Sequence, residues 1–258
     1  MDRYPKRAPA PKPSSLIIGR QPLIEAIQSG RSIDKILFQQ GVSGESIGEI
    51  RKLAKEKNIP IQQVPAEKLH FMTRANHQGV IALAGLITYM DLQQVIDHVV
   101  SSGETALFLM LDGVTDVRNI GAIARTALCC GAQALIIPDK GVGALNEEAL
   151  KSSAGALEKI HVCRVGSLMK AVDTLHLNGI QVFASEMTAA VSLFDADLTG
   201  PSCIVMGSED KGVFPPLMKI CDGNIRIPMA SDFESLNVSV AASMFLYETM
   251  KQRMLLKK

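Results

Sequence analysis

The chain lacks the usual marks of several protein classes. It has no CxxC pair: Cys129, Cys130, Cys163, Cys203 and Cys221 are odd in number and spaced for neither a disulfide framework nor a structural zinc site. They are expected as small buried hydrophobes. No apolar run approaches the ~20 residues that span a bilayer; Ala106 to Leu111 is among the longest. The N-terminus has no apolar signal-peptide core, so the cytoplasm is the expected location, with no membrane partner. The histidines form no metal-ligand pattern, and no metal is expected. A formal charge of +1 gives no bulk attraction to a polyanion. Any nucleic-acid binding would rest on local patches.

What is present is core-forming material. Of 258 residues, 47% are apolar, enough for one large domain or two smaller ones. The start differs: Arg3, Lys6, Arg7, Lys12 and Arg20 face a single acid, Asp2, among Pro5, Pro9, Pro11 and Pro13. This reads as a flexible basic arm over 1–14, although an ordinary terminus without a partner fits equally well. A small α/β unit is expected over 15–88. Its helices are placed at Gln21–Gln28, Glu45–Lys57 and near Ala66–Phe71, and its strands at Ile33–Phe38, Ile61–Val64 and Val80–Ala84. Residues 89–104, with a helix at Leu92–Val100, read as a connection.

From 105 to 258 the pattern becomes buried strand and helix in alternation. Strands are expected at Ala106–Leu111, Ala134–Pro138, Ile160–Val165, Ile180–Ala184, Cys203–Met206 and Ile225–Pro228. Such alternation implies a largely parallel sheet covered by helices, with ligands at the carboxyl ends of the strands. In the final helix, about Val238–Met254, apolar Val240, Met244, Tyr247 and Met254 recur near helical spacing. That stripe suits packing on the sheet or on a second subunit.

Three polar segments fall after strands. In the first, Ile120, Ile123, Ala124, Ala127 and Leu128 form a buried helix stripe, with Asn119 placed as an N-cap and Arg125 off the stripe. The second, IVMGSEDKGV, has G-x-x-x-x-G spacing, but Val213 and Phe214 replace the Lys-Ser/Thr of a phosphate-binding loop. Gly141-Val142-Gly143 likewise lacks the third glycine of a dinucleotide fingerprint, Asn146 standing there, and reads as a simple turn. The third, IPMASDFESLNVSVAASMF, offers Ser235 or Asn237 as a helix cap. Taken singly, each is explained as a capped helix or a glycine turn. His77, in Asn-His-Gln before a strand, reads as a hydrogen-bonding turn residue.

Together, DGVTDVRNIGAIARTA, VMGSEDKGV and IPMASDFESLNVSVAASMFLYE resemble in order and spacing the three signature motifs of the SpoU (TrmH) branch of the SPOUT methyltransferases. The first unit, with HQGVIAL at His77–Leu83, resembles the substrate-binding domain of that family's rRNA guanosine 2′-O-methyltransferases. The resemblance covers about Leu16 to Arg253. It implies a small α/β substrate-binding domain followed by an α/β parallel-sheet SPOUT domain with a deep trefoil knot, in which the chain after about Ser202 threads an earlier loop. It implies S-adenosyl-L-methionine as cofactor, held by Gly207, Ile227 and Leu236. It also makes Asn119, Arg125, Glu209, Ser235 and Asn237 the polar active-site set. Asp210 departs from the pattern, since many relatives carry glycine there, and an added acid would repel an RNA phosphate.

The implied reaction is methyl transfer to a ribose 2′-hydroxyl of RNA, foremost a guanosine of large-subunit rRNA, by a homodimer with its site near the interface. The family's motif-one arginine has been assigned as general base. Arginine stays protonated in proteins, so Arg125 is read here as a phosphate clamp and alkoxide stabiliser, with the base unassigned. A tRNA ribose methyltransferase and a non-catalytic RNA-binding ribosome-assembly factor are the alternatives. A Rossmann-type nucleotide enzyme is disfavoured by its missing fingerprints.

Overall fold

The computed structural model describes residues 16–143, 145–231 and 235–256; the arm expected over 1–14 lies outside them. The chain divides between Leu86 and Ile87. The first unit runs β1 (Leu16–Ile18), α1 (Arg20–Gln28), β2 (Ile33–Gln39), α2 (Glu45–Glu56), β3 (Ile61–Val64), α3 (Ala66–Met72) and β4 (Val80–Ala84). Its sheet order is β1-β4-β2-β3, antiparallel except for the parallel β2/β3 pair. Leu23, Ile36, Phe38, Ile50 and Val80 form much of its main core. The turn before β4 is organised by His77, only 6% exposed. Its Nδ1 accepts from the Gly79 amide at 3.0 Å, and its Nε2 meets His70 Nδ1 at 3.3 Å. Burial, then His70, push its pKa down.

The second unit runs β5 (Tyr89–Met90), α4 (Leu92–Ser101), β6 (Leu107–Leu111), α5 (Val117–Cys129), β7 (Ala134–Pro138), α6 (Glu147–Ser152), β8 (His161–Val165), α7 (Leu168–Leu177) and β9 (Gln181–Ser185), then β10 (Val191–Ser192), β11 (Ser202–Met206), α8 (Pro215–Met218), β12 (Gly223–Arg226) and α9 (Val238–Leu255). All eight strands are parallel, in the order β10-β12-β9-β11-β6-β7-β8-β5. Residues 89–104, expected as a connection, are built into this unit. Tyr89 pairs with Val162, and Leu92, Val95, Ile96 and Val99 of α4 enter its core.

Alternation along the central strands explains the layers. Leu107, Leu109 and Leu111 point to the side of α5 and α9, whereas Phe108 and Met110 point to that of α4 and α7. Both faces are therefore covered, which is why β6 is apolar at every position. Burying each such side chain contributes about 1.5–3 kcal/mol. Cys163 and Cys203 are buried as expected, and burial pushes the Cys163 thiol up to about 12. Cys129 is the clearest departure: it is exposed, on the outer side of α5.

Helix α9 packs differently from its expected stripe. Val238, Ala241, Ala242, Phe245, Leu246 and Thr249 are the buried face. Val240, Met244, Tyr247 and Met254 are 44%, 40%, 60% and 60% exposed, so they do not pack on the sheet. The helix is anchored at its far end by Arg253. Its guanidinium donates to the carbonyls of Leu198, Thr105, Ala106 and Gly200 at 2.6–3.2 Å, beside the starts of β6 and β11. Eighteen residues at ~1.5 Å each then carry the opposite end to the carboxyl edge of the sheet.

Candidate active site

Helix α5 starts earlier than expected. Asp116 is its N-cap, accepting from the Arg118 amide at 2.8 Å, so Asn119 lies in the first turn and is not the cap. Its amide is thereby released for another use. Arg125 falls in the second half of the helix rather than near its start.

At α9 the cap is Asn237. Its Oδ1 accepts from the Ser239 amide at 2.9 Å and from Ser239 Oγ at 2.6 Å. Capping consumes the oxygen end of the amide and turns Nδ2 the other way. That nitrogen donates to Glu209 Oε1 at 2.9 Å. Asn119 Nδ2 donates to the same oxygen at 2.8 Å, and the two asparagines meet at 3.2 Å, Asn237 Nδ2 to Asn119 Oδ1. Residues from two other segments thus hold one carboxylate from one side.

The loop presenting Glu209 closes on itself. Ser208 and Gly212 exchange backbone hydrogen bonds at 3.2 and 2.9 Å, and Gly212 has φ +65°. A Cβ on Gly207 would lie 2.0 Å from the Gly212 carbonyl carbon and 2.2 Å from the Val213 nitrogen. The two glycines of G-x-x-x-x-G therefore close a loop rather than cradle a phosphate. Asp112, at the end of β6, fixes the exit: its Oδ2 accepts from the Phe214 amide at 2.7 Å. Sequence reasoning missed Asp112. The only available signal was Asp-Gly after a buried strand. The Gly141–Gly143 turn is also tighter than expected, because a Cβ on Gly143 would lie 2.3 Å from the Thr115 carbonyl oxygen.

Two clefts adjoin this loop. The first, of about 330 Å³, lies among the loops after β9, β11 and β12 and includes Glu186, Met206, Gly207, Ile227, Met229 and Leu236 in its wall. β12 was expected to run to Pro228. It ends at Arg226, freeing Ile227 to leave the sheet and line the cleft. The second, of about 300 Å³, is lined by Gly113, Thr115, Asp116 and Asn119. Ser208, Glu209, Asp210, Lys211 and Val238 belong to both walls.

Of the residues singled out in the sequence, Gly207, Ile227, Leu236 and Ser235 line the first cleft. Asn119, Glu209 and Asn237 form the hydrogen-bonded cluster. Arg125 lines neither cleft and is exposed, and its side chain has no hydrogen bond or ion pair among the described residues. Asp210 is exposed at the loop tip beside Lys211.

Chemically, the first cleft joins an apolar slot (Met206, Ile227, Leu236) to a polar loop, and so fits a ligand with a flat ring and a charged tail. The second is polar and meets it at an oriented carboxylate.

Comparison with known proteins shows the family of the chain. Residues 106–247 match the SpoU rRNA Methylase family, and residues 16–90 match the RNA 2′-O ribose methyltransferase substrate binding family. A Staphylococcus aureus (strain MSSA476) protein, named as a TrmH family tRNA/rRNA methyltransferase, is 38% identical over 239 residues, covering 93% of this chain and 96% of its own length. The SpoU methyltransferase AviRb of Streptomyces viridochromogenes, solved in complex with AdoMet, superposes with TM-score 0.59 at 26% identity, covering 93% of this chain and 90% of that one. The TrmH/SpoU tRNA modifying enzyme of A. aeolicus gives TM-score 0.53 at 26% identity, over 64% of this chain and 86% of that one. With both units matched in order and a relative aligned over nearly its whole length, the chain belongs to the SpoU (TrmH) family of RNA methyltransferases.

Proposed function

We propose that this chain transfers a methyl group from S-adenosyl-L-methionine to a ribose 2′-hydroxyl of RNA, with a guanosine of large-subunit rRNA as the foremost target. The observation that carries this reading is the Asn119–Glu209–Asn237 cluster on the wall shared by the two clefts. The substrate-binding family matched by residues 16–90 supports the ribose position.

Gly207, Ile227 and Leu236 would hold the cofactor in the first cleft, and RNA would enter the second. Bound there, the cofactor supplies a methyl group activated by its sulfonium. A ribose hydroxyl is a poor nucleophile, so the protein must orient it and stabilise the charge it develops. Asn119 and Asn237 fix the Glu209 carboxylate at the junction. Ser235 adds a hydroxyl at the first cleft. Arg125 is assigned to a substrate phosphate and to the developing alkoxide, and the general base is left unassigned.

A homodimer belongs to the same reading. The exposed stripe Val240, Met244, Tyr247 and Met254 offers an apolar face for that contact. Arg125 precedes Thr126, whose hydroxyl accepts from Ser243 of α9 at 3.2 Å, so it emerges close to that stripe. The trefoil knot is also retained. It is supported by β11 lying between the earlier strands β9 and β6, and by the return of the chain from β12 to Asn237 beside Asn119.

The test compares ribose methylation across the rRNA and tRNA of cells with and without the protein. Loss of one rRNA guanosine methylation supports the reading, and loss at a tRNA position redirects it. No lost site, together with no binding of S-adenosylmethionine, would favour a non-catalytic assembly factor.

A further inference from the structure

We propose that Glu186 is a further cofactor-binding residue, its carboxylate accepting hydrogen bonds from the ribose hydroxyls of the cofactor. This rests on the reading that the first cleft holds S-adenosylmethionine. Glu186 follows β9 directly, where Ser185 pairs with Ile225 of β12, and its amide donates to the Ile225 carbonyl at 3.0 Å. The backbone is therefore fixed at the carboxyl ends of two neighbouring strands, on the wall of the cleft.

The side chain is fixed as well. Oε1 accepts from the Thr188 amide at 3.1 Å and from Thr188 Oγ1 at 2.9 Å, which leaves Oε2 open. Glu186 is half-buried, and among the described residues no cation pairs with it. A partly desolvated carboxylate without a counter-charge is unfavourable unless donors reach it. Among the described residues only Thr188 donates to its side chain, so Oε2 is available to donors that a ligand brings into the cleft.

The surroundings select among the donors of the cofactor. Met187, Ile227, Met229 and Leu236 share the cleft with Glu186 and make an apolar setting for a flat heteroaromatic ring. The group attached to that ring is the ribose, whose neighbouring hydroxyls are paired neutral donors suited to one oriented carboxylate, as in dinucleotide-binding folds. The charged amino-acid end finds its polar counterparts elsewhere, in Ser208 and Lys211.

The experiment is calorimetric titration of the full chain with S-adenosylhomocysteine and with its 2′,3′-dideoxyribose analogue, for the wild type, Glu186→Gln and Glu186→Ala. Hydrogen bonds to a charged group imply that Glu186→Ala weakens S-adenosylhomocysteine about 10- to 100-fold. The dideoxy analogue should bind wild type and variant alike, and Glu186→Gln should fall between. Unchanged affinity for S-adenosylhomocysteine overturns the proposal. Equal loss for both ligands also overturns it, because the carboxylate then acts on the cleft and not on the hydroxyls. A wild type that binds neither ligand defeats the underlying cofactor reading, whatever the variants do.

Discussion

Asn119 and Asn237, 118 residues apart in the chain, donate to the same oxygen of Glu209, at 2.8 and 2.9 Å, and touch each other at 3.2 Å. One is in the first turn of α5 and the other caps α9, so the carboxylate is held where two helix starts converge. Helix starts favour negative charge, which adds to the two hydrogen bonds.

Substitutions in this cluster should separate activity from stability. Asn237→Ser keeps an N-cap oxygen while removing the amide donor, so α9 should retain its stability within a few tenths of a kcal/mol. Turnover should fall about 10- to 100-fold, the scale of one hydrogen bond to a charged group. Asn119→Ala should reduce turnover similarly. Methylation kinetics beside thermal melts check both, and unchanged turnover in the two variants would remove the cluster from the mechanism.

Gly207→Ala should damage the loop before it touches any ligand. Its Cβ would lie 2.0 Å from backbone that no side-chain rotation can move aside. The expected outcome is at least a tenfold loss of cofactor affinity with a lowered melting temperature. Gly141→Ala gives a contrast: its strain comes from φ +78° alone, with nothing within 4 Å of the added carbon, so cofactor affinity should persist.

Arg125→Ala should abolish turnover with cofactor binding nearly intact. No partner among the described residues is lost, so the melting temperature should stay close to that of the wild type. Single-turnover methylation and calorimetry measure the two quantities. Wild-type turnover in the variant would end the phosphate-clamp assignment.

Placing charge on the outer face of α9 should break the proposed dimer without unfolding the chain. Met244→Glu with Tyr247→Glu alters residues 40% and 60% exposed. Sedimentation should show a dimer for the wild type and a monomer for the double variant, with unchanged helical content. A wild type that is already monomeric would refute the dimer.

Acid should weaken the first unit through His77. Its folded-state pKa is depressed, and its Nδ1 already accepts the Gly79 amide, so the fold favours the neutral ring. That contribution is full above the unfolded value of about 6.5 and is lost as pH falls below it toward the lower folded value. Melting temperatures measured between pH 7 and 5 should decline less steeply for His77→Gln. An identical slope would assign the acid sensitivity to other groups.

Much of the layout was legible because burial leaves a local imprint. Strands covered on both faces read as continuous apolar runs, and Ile120, Ile123, Ala124 and Ala127 announced α5 by spacing alone. The short strands at 16–18, 89–90 and 191–192 left no such imprint, since two or three residues carry no period. Of the two roles expected for the α9 stripe, packing on the sheet is the one the structure overturns. Helical spacing identifies a face but not what covers it, and small Ala241 and Ala242 packed inward while Met244 and Tyr247 stayed out.

The sequence by itself determined the two α/β units, the parallel sheet and, through the joint order of three motifs, the family and its candidate residues. Each of those is encoded within a short stretch of chain, by pattern or by spacing. Only the tertiary structure decided that Asp116 rather than Asn119 caps α5, that the Gly207–Gly212 spacing closes a loop, and that Glu209 receives two asparagines while Arg125 faces outward. The Glu209 cluster depends on contacts between segments 28 to 118 residues apart. Their geometry is set by how the strands order themselves in the sheet, which no local pattern records.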